Sequence, residues 1–281
     1  MSTIAHFLDV GQGNMVLMCL ADDTIMLYDC NVTDDNEAGV LKYLRKVLPK
    51  GRIDIFVNSH RDADHMRGVQ KIHDEFPIQT IWDSGVTGRT TDSTEYEEYM
   101  ELRRRVGSVT VKARKKWDFG RTRIRVMNSK NDDLPDDPNA QSIVLKVQHH
   151  DSQTGSILSS LMLTGDSDAI AWKRAIEPNY SEADLRSSIL LASHHGSISF
   201  FDDPADERHY YTDHVKKMKP VMTVISVGPN VHGHPDSKAL EFYEKYSAGS
   251  NQGNKIYRTD EKGNIRLVLK DEGGWKLSPG Q

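Results

Sequence analysis

The stretch NSHRDADHMRGV, residues 58–69, holds two histidines and two aspartates within six positions. The four side chains are His60, Asp62, Asp64 and His65. Imidazole and carboxylate groups bind zinc, manganese and iron, and a cation would offset the repulsion between the two neighbouring carboxylates. The alternative is a polar loop closed by its own hydrogen bonds. Because the stretch follows the apolar segment IDIFV and leads into a helical pattern, we predict a metal-binding loop.

Further candidate ligands follow other apolar segments of the chain. Asp166 comes after LMLTG, the pair His194 and His195 comes after ILLAS, and His232 and His234 come after VMTVISVG. A lone histidine is more often structural than metal-binding. Three separate predicted strands that each end in Asp or His favour a shared site instead. An aspartate from a second strand can bridge two cations, which is the arrangement used to hydrolyse phosphoesters and carbonyl compounds.

Hydrophobic patterning indicates which elements must hold these residues. Short runs rich in Val, Ile, Leu, Phe and Tyr predict strands, and the segments 36–48, 64–76, 93–106 and 237–249 have apolar residues at helical spacing. Strands and helices are interspersed in both halves of the chain. We therefore predict two sheets packed face to face with helices outside, in one domain that covers residues 1–281.

The composition excludes several classes of protein. Charged residues make up 27% and hydrophobic residues 37% of the 281 positions, and the net charge is −5. No apolar run approaches the roughly 18 residues that span a bilayer, and the start lacks the pattern of a signal peptide. Cys19 and Cys30 are too few for a disulfide scaffold. We expect a cytoplasmic protein with no membrane partner, and the sequence leaves its oligomeric state open.

The positive charge is concentrated in residues 101–130, which contain eleven Lys and Arg residues and two acidic ones. We expect a basic hairpin or insertion there. Such a segment can contact the phosphates of a nucleic acid, and it can equally be a solvated face. The candidate phosphate contacts are Arg114, Lys115, Lys116 and Arg121.

Five blocks of the sequence together resemble the metallo-β-lactamase superfamily. They are HFLDVGQGN, SHRDADHMRGV, LMLTGD, LASHHGS and ISVGPNVHGHP, in this order between residues 6 and 235. Within the superfamily they are most similar to the C-terminal hydrolase domain of the ComEC competence proteins. The resemblance implies a four-layer αββα sandwich with a site for two divalent metal ions at one edge of the sheets.

The resemblance also implies a role for each matching residue. His60 and Asp62 would bind the first metal, Asp64 and His65 the second, and Asp166 both. His195 would be the late histidine ligand in preference to His194, and Asp29 would support a ligand loop. The predicted catalytic residues are Asp64, His194 and His234, the two histidines as proton donors or phosphate contacts.

This sequence departs from the family blocks at four places. Asn14 replaces an acid of the first block, Arg67 replaces a Gly and Ser193 replaces a Pro, and NAQSIVL stands where many members have another histidine. None of these changes removes a predicted ligand. Because Asp62 replaces a histidine, the first site is rich in oxygen, which favours manganese over zinc.

The predicted function is metal-dependent hydrolysis of a phosphodiester by a hydroxide held between the two metals. A stand-alone DNA nuclease is the first choice. The main alternative is a small-molecule hydrolase that acts on a cyclic nucleotide, a phosphoester or a lactone. A metal-stabilised binding protein, or the partner of a toxin, is the third possibility.

Overall fold

A computed structural model describes residues 1–48, 50–203, 206, 208–249 and 255–280. Within these ranges the strands form an eight-stranded sheet, a seven-stranded sheet and a short two-stranded one. The strands are β1 Thr3–Phe7, β2 Val16–Cys19, β3 Ile25–Tyr28, β4 Cys30–Asn31, β5 Ile53–Val57, β6 Met66–Arg67, β7 Ile78–Asp83, β8 Ser108–Thr110, β9 Lys116–Phe119, β10 Thr122–Asn128, β11 Val144–His150, β12 Ile157–Leu163, β13 Ile189–Leu191, β14 Met222–Ile225, β15 Ile256–Arg258, β16 Ile265–Leu269 and β17 Trp275–Pro279.

Both large sheets combine an antiparallel part with a parallel part. The first sheet has the order β17-β16-β1-β2-β3-β5-β7-β8, and its strands β3, β5, β7 and β8 are parallel neighbours. The second has the order β15-β14-β13-β12-β11-β10-β9, with β12 to β15 parallel. The loops that follow parallel strands leave a sheet at its carboxyl edge, where α/β proteins place their ligands.

Helices cover the outer face of each sheet. Their bounds are α1 Glu37–Val47, α2 Val69–Glu75, α3 Thr94–Val106, α4 Ala169–Ala171, α5 Glu182–Leu185, α6 Asp213–Met218, α7 Ser237–Tyr246 and α8 Thr259–Lys262. Buried residues of α1, α2 and α3 pack on the first sheet, and those of α4, α6 and α7 pack on the second. A third apolar cluster, with members such as Phe7, Val57, Leu145 and Leu163, fills the space between the sheets. The predicted αββα sandwich is confirmed.

The predicted helix 64–76 begins later than its sequence pattern indicates. Residues Ala63–His65 form one 3₁₀ turn, and β6 then pairs with β4 before α2 starts at Val69. Gly68 separates the strand from the helix with φ of 71°. A β-carbon at this position would lie 2.6 Å from the Val32 carbonyl oxygen, so only glycine fits. The extra pairing fixes the end of the predicted metal loop.

The basic segment 101–130 is divided among several elements. It contains the end of α3, the edge strand β8 of the first sheet, and the β9–β10 hairpin of the second sheet. Most of its positive charge therefore lies on regular elements of the sandwich.

Across the residues that the structure describes, no helix has both the length and the apolar character needed to cross a membrane.

The apolar cluster between the sheets predicts a measurable effect of a truncation. Leu145 on β11 is fully buried there, so Leu145→Ala is expected to lower the free energy of unfolding by about 2–5 kcal/mol. Urea denaturation followed by circular dichroism measures this value. The matched control is Val109→Ala in β8, whose side chain is 44% exposed and whose loss should cost less than about 1 kcal/mol. Equal effects of the two substitutions would contradict this assignment of the core.

Candidate metal centre

Three strand ends bring the predicted ligands to one edge of the sandwich. The metal loop follows β5, Asp166 follows β12, and His194 and His195 follow β13. The loop that contains His234 follows β14 in the same parallel array. Both sheets thus contribute side chains to one site between their carboxyl edges.

The ligand atoms form two clusters that share His65. His60, His65 and Asp166 form the first, and Asp64, His65 and His195 form the second; within each, the ligand atoms lie within 4.8 Å of one another. The Nε2 atom of His65 is 3.1 Å from Asp166 Oδ1, and the Nε2 atom of His195 is 3.2 Å from Asp64 Oδ2. Two ligands about 2.1 Å from one ion lie roughly 3–3.5 Å apart, so these spacings suit a shared cation.

Hydrogen bonds on the far side of each imidazole determine which nitrogen faces the centre. His65 Nδ1 donates to Asp29 Oδ2 at 2.8 Å, and His195 Nδ1 donates to the Ser226 carbonyl oxygen at 2.9 Å. His60 Nδ1 lies 3.0 Å from Ser59 Oγ, which itself donates to Asp29. In the neutral imidazoles these bonds place the proton on Nδ1 and leave the Nε2 lone pair towards the centre, as a histidine ligand requires.

The atoms that face the centre are buried and lack hydrogen bonds among the described residues. They are His60 Nε2, His65 Nε2, His195 Nε2 and Asp166 Oδ1. Unpaired polar atoms cost stability when they are buried, and one protein rarely leaves four of them together. A pair of divalent cations would satisfy them, so the donor set fits the two metals that the resemblance implies.

The carboxylates have the electrostatics of a cation site. Burial alone would raise the pKa of Asp166, but the surrounding imidazoles, His65 foremost, hold that pKa well below its ordinary value. The pKa of Asp64 is lowered in the same way by His65 and His195, against the effect of burial. Both carboxylates therefore remain anionic at neutral pH, where positive charge on the imidazoles or on a bound cation balances them.

Asp62, a predicted ligand of the first metal, lies beside the two clusters. Its Oδ2 is 3.6 Å from His60 Nε2 and also accepts a hydrogen bond from Arg89. Arg89 further contacts Asp137 and Asn139. Sequence reasoning missed Arg89, although its loop follows β7, a parallel neighbour of β5, and therefore reaches the same edge. Asn139 belongs to the segment NAQSIVL, which stands where many members of the superfamily have another histidine.

The paired histidines have an unusual backbone. His194 has φ of 50° and His195 has φ of 55°, a left-handed conformation that is strained for residues with a side chain. The turn directs His195 into the second cluster. His194 Nε2 lies 3.6 Å from Asp166 Oδ2, and its ring centre is 5.3 Å from that of His234. His194 is therefore close enough to the centre for its predicted catalytic role, and His234 lies beside it.

His234 is flanked by other histidines at the mouth of the site. Burial, followed by the charge of His194 and His195, lowers its pKa to about 4. Its Nδ1 has no hydrogen-bond partner among the described residues. The imidazole is therefore neutral at pH 7 in this environment, and it has a free nitrogen for a substrate or for water.

An ion-pair network anchors the metal loop from behind. Arg61, between two predicted ligands, is 6% exposed and donates to Asp83 Oδ2 at 2.9 Å. Asp83 also accepts hydrogen bonds from Tyr99 at 2.9 Å and from Arg103 at 2.5 Å. The pairing of buried Arg61 with Asp83 therefore fixes the position of the loop between His60 and Asp62.

The predicted phosphate contacts of the basic segment lie elsewhere. Arg121 is paired with Asp271 at 2.6 Å. Arg114 and Lys116 line a cavity beside Gln148, which is opposite Ser160 in the second sheet. Ser160 precedes the end of β12 by three residues and Asp166 lies beyond that end, so the cavity is at least about 10 Å from the metal centre. These side chains, and Lys115 between them in the chain, do not reach the clusters.

The fold and these motifs agree with a known family. The family model described as the metallo-beta-lactamase superfamily matches residues 8–171, more than half of the chain. The chain belongs to this superfamily. No curated protein sequence gives a significant match.

Solved structures with the same fold have little sequence similarity to this chain. CmlA, a diiron beta-hydroxylase from Streptomyces venezuelae, is 12% identical with a TM-score of 0.55; the match covers 95% of this chain and 54% of CmlA. This chain thus spans about half the length of CmlA. Igni18, a metallo hydrolase from Ignicoccus hospitalis, is 12% identical with a TM-score of 0.54, covering 94% of this chain and 98% of Igni18.

A diphosphatase from the PhnP family is 13% identical to this chain with a TM-score of 0.50. The match covers 95% of this chain and 98% of the diphosphatase chain. At these identities the likeness shows the fold alone. The three proteins have different activities, so the shared sandwich does not specify the reaction.

The bond from Asp29 to His65 predicts an effect on metal affinity. Asp29→Asn removes the charged acceptor, so the affinity for Zn²⁺ or Mn²⁺ is expected to fall about 10- to 100-fold while the fold persists. Isothermal titration of the protein with each metal measures this affinity. Asp35→Asn, an exposed carboxylate on the surface, is the control and should bind metal like the wild type. Equal affinities of all three proteins would contradict a role of Asp29 at the metal.

The Asp83 network predicts a pH-dependent effect on stability. Burial alone would raise the pKa of Asp83, but Arg103 and Arg61 hold that pKa below its ordinary value. Asp83 therefore stabilises the fold above about pH 4, the unfolded value, and this contribution is lost as the pH falls through its folded pKa. Asp83→Asn is expected to lower the free energy of unfolding by about 3–5 kcal/mol at pH 7.

Urea denaturation between pH 7 and pH 3 checks this expectation. The difference between Asp83→Asn and the wild type should shrink below pH 4, and a difference that stays constant over the whole range would refute the argument. Asp118→Asn is the control, because its carboxylate is paired with Arg123 but 56% exposed. Its effect should stay below about 1 kcal/mol.

Proposed function

We propose that this protein is a metal-dependent hydrolase that cleaves phosphodiesters, with DNA as its substrate. The observation that carries the proposal is the convergence of three buried Nε2 atoms and an Asp166 oxygen with no hydrogen bonds of their own. A purely structural cluster would pair these atoms with one another or with the backbone. The Asp166 carboxylate has oxygens 3.1 Å from His65 Nε2, 3.7 Å from His60 Nε2 and 3.9 Å from His195 Nε2, so it could contact two cations at close range, the arrangement of many phosphoester hydrolases.

In this proposal the chain's own residues divide the work. His60 and Asp166 would hold one cation, with Asp62 beside them, and Asp64, His65 and His195 would hold the other, with Asp166 in reach of both. Two such cations supply Lewis acidity and lower the pKa of a water molecule towards neutrality. Whether manganese or zinc occupies the site is part of the test.

Other residues at the mouth would handle the substrate. The Arg89 guanidinium is 44% exposed beside Asp62, where it can bind a phosphate oxygen. His194 lies beside His234 and near Asn139, which Arg89 also contacts, and the neutral imidazoles can donate an N–H hydrogen bond to a phosphate oxygen. Val231 and His232 are exposed in the neighbouring loop and are available to contact a large substrate.

The choice of DNA is supported by the ComEC-like set of sequence blocks alone, because the charge of Arg89 at the mouth is already paired with Asp62 and Asp137. The remote position of the basic segment removes one argument for it, because those cations cannot hold the scissile phosphate. A small-molecule phosphoesterase or lactonase remains the alternative, and the acidic net charge of −5 favours it.

A substrate panel tests the proposal. Purified protein supplied in turn with Mn²⁺, Mg²⁺ and Zn²⁺ is incubated with plasmid, linear single-stranded DNA, bis-para-nitrophenyl phosphate and a lactone. We expect cleavage of DNA and of the aryl diester. Turnover of the lactone alone would overturn the proposal in favour of a carbonyl hydrolase. Turnover of the aryl diester without DNA would favour a small-molecule phosphodiesterase.

A substitution at the shared carboxylate links this activity to the clusters. Asp166→Asn is expected to reduce the rate of diester cleavage at least about 1000-fold, because a neutral amide cannot replace an anionic bridge between two cations. Circular dichroism and thermal denaturation confirm that the variant is folded, and Asp35→Asn is again the control. If Asp166→Asn kept the wild-type rate, the metal centre would not be the site of cleavage.

A further inference from the structure

A second polar cavity lies on the outer face of the second sheet, away from the metal centre. Its volume is about 350 Å³, within the range of small-molecule sites. Strand alternation explains its position: Ile124 and Val126 of β10 point into the core between the sheets, whereas Arg123 and Arg125 point outward. The outer helices pack beside Met127 and Met162, nearer the metal edge, and leave this part of the face uncovered.

The lining of the cavity is strongly basic. Arg114, Lys116, Arg123 and Arg125 surround it. Arg123 is paired with Asp118 and Arg125 with Asp184. Arg114 and Lys116 have no ion pair with any residue that the structure describes, so two positive charges lack a counter-charge.

The floor of the cavity lies on β11. Gln148 is 2% exposed and lines the cavity, yet its amide makes no hydrogen bond within the described ranges. Two positions earlier on β11, Lys146 is 1% exposed and donates only to the Asp184 carbonyl oxygen. Burial, and then the charge of Arg125, lowers the pKa of Lys146 to about 8. An amide that makes no hydrogen bond and opens into the cavity, beneath cations without an ion pair, is suited to an anionic ligand.

The backbone of Arg114 provides a further observation. Its φ is 70°, a conformation that residues other than glycine rarely adopt. Its amide donates to the Val126 carbonyl oxygen at 2.8 Å, and its guanidinium contacts Asn179. These contacts hold the side chain at the rim of the cavity.

We propose that this cavity binds the diphosphate group of a small phosphorylated molecule, at a site separate from the metal centre. Arg114 and Lys116 would neutralise the phosphates, Arg123 and Arg125 would donate hydrogen bonds, and the Gln148 amide would donate from the floor. A small molecule fits the observations better than a nucleic acid, because the unpaired amide lies at the bottom of a concave site and not along an extended groove.

The first test is a binding measurement on the metal-loaded protein. Isothermal titration with ADP, after subtraction of a blank titration into the same metal buffer, should show binding. The double variant Lys116→Gln/Gln148→Leu is expected to raise the dissociation constant for ADP at least about tenfold. Its rate of aryl diester cleavage without ADP should equal that of the wild type. Failure of that diester activity in the wild type would overturn the proposed function but not this site.

Two further variants keep the test informative if the double variant unfolds. Lys116→Gln alone removes an exposed side chain without an ion pair, so the fold should persist and the dissociation constant should rise about fivefold, the size of one exposed charge contact. The control is Lys42→Gln, which removes an equal charge from an exposed position on α1 and should leave ADP binding unchanged.

Three results would overturn the proposal. The first is an absence of ADP binding to the wild type. The second is wild-type ADP affinity in the folded cavity variants, which would assign the ADP to another site such as the metal centre. The third is that the folded cavity variants keep their affinity for ADP but lose binding to a single-stranded oligonucleotide of about 12 residues. This result would make the cavity part of a nucleic-acid surface.

Discussion

The metal centre depends on the bonds that three buried histidines make on the side away from it. Asp29, Ser59 and the Ser226 carbonyl oxygen hold the Nδ1 atoms, and all three Nε2 lone pairs are thereby left to meet at one point. Without these bonds each imidazole could change its tautomer or turn its ring, and the clusters would lose their geometry. Asp29 is fully buried and bonds both His65 and Ser59, so one carboxylate orients two of the predicted ligands.

The sandwich supplies the second requirement, which is that distant parts of the chain meet. Parallel strands in both sheets end at the same edge, so loops more than a hundred residues apart become neighbours. The backbone there is adapted to the site: His194 and His195 are left-handed, and Gly165 has φ of 53° with Ser59 packed against it. Sheets and apolar clusters are rigid, and they hold these strained turns in place.

The sequence predicts the sandwich and the meeting of the ligands well, because both follow from local signals. Each of the motifs HRDADH, LTGD and SHH follows an apolar pattern and marks the end of a strand. Because these strands are parallel, their ends lie at the same edge of the sandwich. Arg89 was missed because its contact with Asp62 depends on the path of a loop, which no periodicity encodes. The start of α2 was predicted wrongly because β6 pairs with the distant β4. Charge density alone indicated neither where the cations of residues 101–130 lie nor which carboxylates neutralise them.

The position of the centre between the sheets has a consequence for the durability of the protein. His60 and His65 belong to the first sheet's loops, whereas Asp166 and His195 belong to the second's. A metal ion coordinated by residues of both sheets would act as a cross-link between the two sheets at their carboxyl edges. Ligands that bind only the folded state add to its stability by mass action. The lifetime of the folded molecule in a cell would therefore follow the supply of the metal, independently of any substrate.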